Sequence, residues 1–498
     1  MNPLRKLAGQ TAIYGLSSIV GRLLNYLLVP LHTRAFSPEQ FGVVTEMYSY
    51  VAFLLVVLTY GFETAFFRFA RQEEDRDDVY TTSLVSLLFS SLGFFILCYA
   101  FANPLAEVIQ YGNHPEYIIW FGLILATDAI TTIPFAKLRL ENKALRFATL
   151  RLINIAINIF LNVFFIWLCP YLLKNGSEAT RAWVETVYNP NIGVGYVFIA
   201  NLVASLATFL MLVPEMLKVL KRHKDAARFN IGLWRQMMDY SLPLLIGGLA
   251  GITNEMFSRV SLKYQLPEET AMHDLGIFGA CYKVAVLMTI FVQTFRFAAE
   301  PFFFSHARHK DATQIYASVM NWFVITCSLI YLSVMLFMHI IRHFIGANYY
   351  EGLSIVPVLL LANMFLGVYY NLSIWYKLND KTRLGAWMTI GGAVLTIVLN
   401  YWWIPRYGYV GASWATFTVY LLMMICSYIL GQKYYPVPYQ LGRLLLIPGA
   451  AVGLAAFDKL LPEGDSLAGW AVRLAILLLF SLMAVLPEIR KKSVISPP

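Results

Sequence analysis

The chain of 498 residues is 58% hydrophobic and only 13% charged, with a formal net charge of +9 and a mean hydropathy of +0.61. Soluble domains carry roughly 25% charged residues, so this composition excludes a soluble enzyme, a disordered protein and a secreted disulfide scaffold. The apolar runs are continuous rather than alternating, which excludes a transmembrane β-barrel and predicts an all-α polytopic membrane protein.

In chain order, the apolar runs are separated by polar or Pro/Gly-rich breaks and predict about fourteen transmembrane helices. These spans, numbered 1 to 14, are residues 8–31, 41–67, 80–102, 116–136, 149–170, 192–213, 234–263, 274–303, 314–341, 352–376, 384–404, 409–431, 441–460 and 467–487. The connecting loops are too short to form a folded domain outside the membrane. Any function must therefore reside in the helices.

Basic residues in the loops follow the positive-inside rule if the N-terminus is cytoplasmic. Twenty-six Lys and Arg residues then fall in inward segments and seven in outward loops. This asymmetry predicts that both termini are cytoplasmic, which requires an even number of spans. It also explains the pI of 9.1 as a loop bias, so we expect no nucleic acid partner.

The sequence contains an internal repeat at an offset of 237 or 238 residues. Four short matches occur in the same order: 41–42 with 278–279, 63–67 with 300–304, 140–143 with 378–381, and 161–166 with 399–404. Because the offset covers six spans, the halves have the same topology, as in parallel repeats related by an axis along the membrane normal. We predict two pseudo-symmetric six-helix lobes, 1–230 (with a basic cytoplasmic loop) and 231–432, followed by two additional helices and a cytoplasmic tail in 433–498.

Polar and basic residues inside the spans predict a cationic cavity. A charge at the centre of the bilayer costs about 3 kcal/mol or more, so such residues should face protein or a water-filled path. Arg22 and Lys283 have no opposite charge one helical turn away, which favours substrate binding over a structural role. The candidates for binding an anionic substrate are Arg22, Asn25, Arg259, Lys283 and Arg296.

Carboxylates inside the spans are candidates for ion coupling or for ion pairs: Glu46, Asp128, Glu255 and Glu300. Glu255 precedes Arg259 by four residues and Arg296 precedes Glu300 by four, so each pair has the spacing of an ion pair on one helix face. The five cysteines are scattered, without the spacing of metal ligands. We therefore expect neither a metal site nor a cofactor.

Three segments resemble the polysaccharide transporter family. Residues 34–42 resemble its R-x-x-x-P-x-x-(F/Y)-G signature through Arg34, Pro38, Phe41 and Gly42, and the segments 377–383 and 407–412 are similar to its breaks before spans 11 and 12. The resemblance covers the whole chain and is to the Wzx-type oligosaccharide flippases of the multidrug/oligosaccharidyl-lipid/polysaccharide exporter (MOP) superfamily.

This resemblance implies a function, a location and partners. The implied protein is no enzyme: it is a flippase that moves a polyprenyl-pyrophosphate-linked oligosaccharide from the inner to the outer leaflet of the bacterial cytoplasmic membrane by alternating access, for polysaccharide, O-antigen or capsule export. The implied partners are a lipid-linked anionic glycan and membrane lipid, with proton or sodium coupling, and the implied state is a monomer. Arg22, Arg259 and Lys283 lie in spans that supply cations to the cavities of family members.

Other functions stay open at this point. A lipid II flippase and a cation-coupled drug exporter belong to the same superfamily, although span 1 departs from the lipid II flippase pattern and a drug exporter favours acidic residues in its cavity. A membrane glycan polymerase or ligase fits less well, because such an enzyme needs a sizeable outer loop.

Overall fold

The computed structural model of the chain describes residues 20–21, 23–70, 76–222, 229–307, 309–458 and 467–495. Within these ranges the secondary structure is helical, without a β-strand, which confirms the all-α prediction. The α-helices from residue 29 onward are labelled α1 to α19: Val29–Ala35, Pro38–Thr59, Phe62–Phe69, Arg76–Ala100, Ala102–Val108, Pro115–Leu140, Ala144–Asn162, Cys169–Asn175, Glu178–Val187, Gly195–Arg222, Ile231–Gln265, Glu268–His306, Ala312–Leu336, Met338–Ile341, Val356–Leu372, Ile374–Leu378, Thr382–Tyr434, Leu441–Asp458 and Leu467–Ile495.

Eleven helical segments of the described chain are long and apolar enough to cross a membrane, so the protein is a multi-pass membrane protein. One of them, α17, is 53 residues long and bends at Gly408, which divides it into the predicted spans 11 and 12. Helix α11 is 35 residues long but is not among the eleven. Most of span 1 lies outside the described residues, and the count of fourteen stays a prediction.

The chain forms two compact units, Met1–Val260 and Ser261–Pro498, called the first and second unit below. Most of α11 belongs to the first unit, because its apolar side chains pack there. Met237 joins the buried core of that unit, and the Trp234 indole N–H donates to Ser86 Oγ at 2.8 Å. The predicted lobe limits of 1–230, 231–432 and 433–498 stay a prediction.

The core of the first unit brings together α3, α4, α6, α10 and α11. Its most buried side chains include Phe62, Phe66 and Leu212. A sharp turn at Tyr60 and Gly61, with φ angles of 33° and 75°, separates α2 from α3. Glycine has no Cβ and adopts this left-handed conformation at little cost, so the second span is broken at this point.

The second unit contains a comparable break inside α17. Gly408 has φ 53° and ψ −136°, a conformation that side chains disfavour. The Asp274 carboxylate accepts a hydrogen bond from the main-chain N–H of Tyr409, where the following helical half begins. An acidic side chain at a helix start satisfies an otherwise unpaired N–H, so Asp274 fixes the position of the bend.

The last two helices, α18 and α19, pack against α13 in the second unit. Arg443 on α18 pairs with Glu488 on α19 at 2.6 Å, and Asn321 Nδ2 on α13 donates to the same carboxylate at 3.3 Å. Arg473 pairs with Asp458 at 2.8 Å. The two ion pairs join α18 to α19, and the hydrogen bond from Asn321 attaches this pair of helices to α13.

Candidate functional site

Span 1 supplies two of the predicted substrate-binding residues. Arg22 lies outside the described residues, so its placement stays a prediction. Asn25 is exposed, and its carbonyl oxygen accepts a hydrogen bond from the Leu28 N–H at 3.1 Å. The helix is interrupted by a turn at residues 27–28 before α1 begins. The Asn25 side chain therefore sits in an exposed position just before a helix break.

Arg259 and Glu255 lie one turn apart on α11, as predicted, but their side chains do not form an ion pair. Arg259 is only 8% exposed, and its Nη1 donates to the main-chain oxygen of Glu255 at 2.7 Å. The same nitrogen lies 2.8 Å from Met256 Sδ. The Glu255 carboxylate is exposed. Arg259 therefore contacts the backbone of the preceding turn of its own helix.

Lys283 and Arg296 both have exposed side chains on α12, which is helical from Glu268 to His306. Thirteen residues separate them, which corresponds to about 20 Å along a helix axis at 1.5 Å per residue. A single phosphate group cannot contact both side chains over that distance. The two cations therefore occupy different depths along the helix.

Arg296 lies in a small polar cluster at one end of the second unit. Its guanidinium carbon is 4.6 Å from the centre of the Tyr370 ring. The ion pair that the spacing predicts with Glu300 is wrong, because Glu300 pairs with Lys377 on α16, with Nζ 2.6 Å from Oε1. Lys377 comes from a different helix, and its flexible stem reaches Glu300 from across the cluster. Among the described residues, Arg296 has an aromatic partner rather than a carboxylate.

Asn371 completes this cluster and is 2% exposed. Within the described ranges, neither its side-chain nitrogen nor its side-chain oxygen has a hydrogen-bond partner. It lines a cavity of about 20 Å³ together with Arg296, Glu300 and Lys377. Such a volume holds about one water molecule. The cluster thus offers an amide, a guanidinium and an ammonium group beside one another.

The first unit contains an ion pair at the equivalent positions. Glu63 on α3 pairs with Arg139 on α6, and the repeat offset relates these residues to Glu300 and Lys377. The Arg139 guanidinium also lies 4.9 Å from the centre of the Phe67 ring. An ion pair formed in both units joins corresponding helices, which points to a structural role for Glu300.

Glu46 on α2 is completely buried and is held by two tyrosines. Tyr50 donates to one carboxylate oxygen, and Tyr111 donates to the other at 2.5 Å. Tyr111 lies in the segment between α5 and α6, so this carboxylate ties that loop to α2. Each oxygen of Glu46 therefore has a fixed donor.

Asp128 lies half-buried on α6 within a polar group of the first unit. The Ser205 hydroxyl and the Arg151 guanidinium stabilise its carboxylate. The Tyr48 hydroxyl lies nearby and accepts a hydrogen bond from Asn201 Nδ2 at 3.1 Å. Four helices thus supply polar groups to one place inside a membrane-spanning unit.

The sequence analysis missed three members of these clusters. Lys377 was counted as a loop residue, Asn371 is an uncharged residue in an apolar run, and Tyr111 lies outside the spans. The repeat contained a signal for Lys377, because Arg139 precedes Leu140 as Lys377 precedes Leu378. No comparable pattern marks Asn371 or Tyr111.

The fold is that of the transporters of the MOP superfamily. The structure titled lipid II flippase MurJ, inward closed conformation, is 14% identical, with a TM-score of 0.67 over 97% of this chain and 99% of that chain. An inward-facing multidrug resistance MATE family transporter is 15% identical, with a TM-score of 0.60 over 85% and 94%. A MOP superfamily transporter from Pyrococcus furiosus, whose title reports reverse polarity of the binding pocket, is 13% identical, with a TM-score of 0.54 over 85% and 95%.

The family follows from the sequence. Residues 7–307, more than half of the chain, match the model of the polysaccharide biosynthesis protein family, and the chain belongs to this family. This result confirms the resemblance to the polysaccharide transporter family. No curated protein matches the sequence.

Proposed function

We propose that this protein is a flippase that moves a polyprenyl-pyrophosphate-linked oligosaccharide from the inner to the outer leaflet of the bacterial cytoplasmic membrane by alternating access, for polysaccharide, O-antigen or capsule export. The family and the transporter fold support this assignment. The observation that carries it is Arg296, an exposed cation on a membrane-spanning helix with no ion-pairing carboxylate among the described residues. Such a charge is costly unless it faces water or meets an anion.

The chemistry around Arg296 suits a phosphate oxygen. A guanidinium group presents planar, paired N–H donors that match phosphate geometry. Tyr370 lies against the guanidinium and restricts its orientation, while leaving its donors available. The neighbouring Asn371 amide, buried beside it, can donate a further hydrogen bond.

The separation along α12 assigns the two cations of that helix to different steps. In this proposal a head group enters from one leaflet near Arg296, at the end of the helix where Lys377 pairs with Glu300. Lys283 lies about 20 Å further along the helix, where it would stabilise the pyrophosphate during passage. In this proposal Arg22, Asn25 and Arg259 supply the remaining polar contacts of the path.

We assign ion coupling to Asp128 rather than to Glu46, Glu255 or Glu300. Glu46 has a tyrosine donor on each oxygen, and Glu300 has Lys377. Glu255 is exposed, whereas Asp128 lies among Ser205, Arg151 and Tyr48 inside the unit. A proton or sodium ion bound there would change the charge of this polar group, and a charge change is what coupling requires.

The loop charges support cytoplasmic N- and C-termini, and the proposed transport unit is a monomer. The partners in this proposal are the lipid-linked anionic glycan and membrane lipid.

Export in cells tests this function. The variant Arg296→Gln is expressed in a strain that lacks the gene. It should reach the same protein level as the wild-type protein, but the amount of surface glycan should be about tenfold lower, as expected for loss of a charge-assisted contact. Arg406→Gln is the matched control, because Arg406 is exposed and its side chain donates, among the described residues, a hydrogen bond only to the Trp402 carbonyl oxygen. The control should export normally.

Other outcomes point to the alternatives. Normal export by a well-expressed Arg296→Gln protein contradicts the proposed role of this residue. Accumulation of peptidoglycan precursors instead of glycan intermediates identifies a lipid II flippase. A change in drug resistance with unaltered glycan export identifies a drug exporter.

A further inference from the structure

A second polar cavity lies in the first unit, beside the buried core that contains Phe62 and Phe66. It has a volume of about 140 Å³ and is formed where α4 begins, α6 ends and α10 approaches its last turns. Its charged lining residues are Asp77, Glu141 and Glu215 together with Lys137, Lys143 and Lys218. The cavity is therefore lined by both signs of charge at the ends of membrane-spanning helices.

At the equivalent place in the second unit, described aromatic side chains pack together. The repeat relates Lys137 to Trp375, which is 2% exposed. The Trp375 ring lies 5.7 Å from that of Tyr434, and a Cβ added at Gly431 would lie 3.0 Å from Trp375 Cδ1. Large aromatic side chains can thus occupy the space between these helices. The cavity is a property of the first unit's side chains rather than a requirement of the fold.

Tyr80 provides the second observation. Its side chain is 1% exposed and lines the cavity, and its hydroxyl has no hydrogen-bond partner in the described part of the chain. Tyr316 has the same setting in the second unit, with its ring against Phe303 as that of Tyr80 lies against Phe66. The Tyr316 hydroxyl, however, donates to the Phe303 carbonyl oxygen at 2.8 Å. A buried donor without an acceptor lowers stability, so a bound group that accepts a hydrogen bond from the Tyr80 hydroxyl would be favourable.

The lysine ammonium groups of the cavity have more N–H donors than their carboxylate partners engage. Lys143 lies 2.6 Å from Glu141, which raises the pKa of this lysine and keeps it charged. Lys137 is 3.6 Å from Glu141 and Lys218 is 3.9 Å from Glu215, too far for hydrogen bonds. Each ammonium carries three N–H donors.

Charge and size together define the ligand. The lining contains three lysines and three carboxylates, and Arg146, which is outside the lining, lies 3.8 Å from Glu215. The three ammonium groups and the Tyr80 hydroxyl supply N–H and O–H donors that the carboxylates engage only in part, and such donors favour an oxyanion. About 140 Å³ is the room of roughly five water molecules, which suits a tetrahedral phosphate group. We propose that this cavity binds the phosphate group of an anionic lipid head group or of a soluble phosphate, with Tyr80, Lys137, Lys143 and Lys218 as donors.

Ligand-dependent thermal stability of the purified full-length protein tests this site. The protein is kept in a phosphate-free sugar detergent and titrated with inorganic phosphate, or with phosphatidylglycerol, against chloride at equal ionic strength. A saturable rise in Tm with either probe is expected. A response to phosphatidylglycerol alone identifies the lipid head group as the source, and a response to inorganic phosphate alone identifies the soluble ion.

Two matched pairs of variants locate the effect. Tyr80→Phe should raise the Tm without ligand, because it removes an unsatisfied buried hydroxyl, and should weaken the apparent affinity about tenfold. Tyr316→Phe should lower the Tm and keep the affinity. Lys143→Gln should weaken the affinity similarly, whereas Lys381→Gln, at the equivalent repeat position, should not. The absence of a saturable response, or equal affinities within both pairs, overturns the proposal. Neither readout depends on transport, so the outcome is independent of the flippase assignment.

Discussion

Each unit contains an ion pair between corresponding helices, but the residues around the pair differ between the units. Glu63–Arg139 and Glu300–Lys377 occupy equivalent repeat positions. Asn142 and Asp380, related by the same offset, both have left-handed φ angles, 57° and 54°. Features formed in both units are required by the helix arrangement. We therefore expect the groups that bind substrate to lie at the places where the units differ.

One difference lies at repeat positions 46 and 283. Glu46 is buried under two tyrosine hydroxyls, whereas its equivalent, Lys283, is exposed on α12. A second difference is the polar cavity beside Lys137, where the second unit has Trp375. In each case one unit uses the position for packing and the other leaves a charge accessible. This contrast separates scaffold from candidate binding groups.

The largest effect is expected from removing the side chain that fills the second unit. Trp375→Ala should lower the free energy of unfolding by about 3–5 kcal/mol, because it leaves a large cavity. Lys137→Ala, at the equivalent position beside an existing cavity, should change it by no more than about 1 kcal/mol. Chemical denaturation in detergent measures both. Equal losses would show that the two positions are packed alike.

Two glycines, one just before α10 and one at the bend of α17, offer the next comparison. Gly193 and Gly408 have similar positive φ angles, 52° and 53°. Gly193→Ala should cost about 1–2 kcal/mol from backbone strain alone, since no atom lies within 4 Å of the new Cβ. Gly408→Ala should cost at least about 1 kcal/mol more, because its Cβ would lie 2.3 Å from Asp274 Oδ2. A smaller loss of unfolding free energy for Gly408→Ala would contradict this account of the bend.

Substitution of the buried asparagines of spans 5 and 11 should produce a smaller difference in stability between the two units. Asn162 and Asn400 each donate to the carbonyl oxygen four residues earlier, at 2.8 and 2.7 Å. Asn162 Oδ1 also contacts His32 Nε2 at 2.8 Å, whereas Asn400 Oδ1 has no partner among the described residues. Asn162→Ala should therefore destabilise by about 2 kcal/mol and Asn400→Ala by about 1 kcal/mol. The reverse order of thermal stability would refute the difference between the two networks.

The smallest effect concerns the shared ion pairs. Glu63→Gln and Glu300→Gln should each lower the free energy of unfolding by no more than about 1 kcal/mol, because the four side chains are between 23% and 41% exposed. The two losses should agree within about 0.5 kcal/mol. A much larger loss for one variant would mean that the pairs have different roles.

Much of the fold could be predicted from the sequence because lipid imposes long apolar segments. The predicted spans 80–102, 314–341 and 441–460 correspond to α4, α13 and α18, with ends that differ by a few residues. The packing of α11 with the first unit could not be predicted, because it depends on contacts such as that of Trp234 with Ser86. The pattern of apolar residues predicts where a helix lies in the sequence, but it does not predict which helix packs beside it.

The site could be predicted only in part. Spacing along one helix suggested a pair between Arg296 and Glu300, but Glu300 binds Lys377, which is 77 residues away. A contact between helices depends on three-dimensional packing, which local spacing does not contain. The same reason explains why Tyr111 was not expected beside Glu46.

Translocation by purified protein tests the central claim most directly. The protein is reconstituted into vesicles with a fluorescent polyprenyl-pyrophosphate-linked oligosaccharide, and the rate at which the lipid reaches the opposite leaflet is measured. We expect wild-type protein and Arg406→Gln to accelerate this movement, and Arg296→Gln to be about tenfold slower with an unchanged Tm. A wild-type protein that does not accelerate movement of the lipid, or an Arg296→Gln protein that moves it at the wild-type rate, would contradict the account.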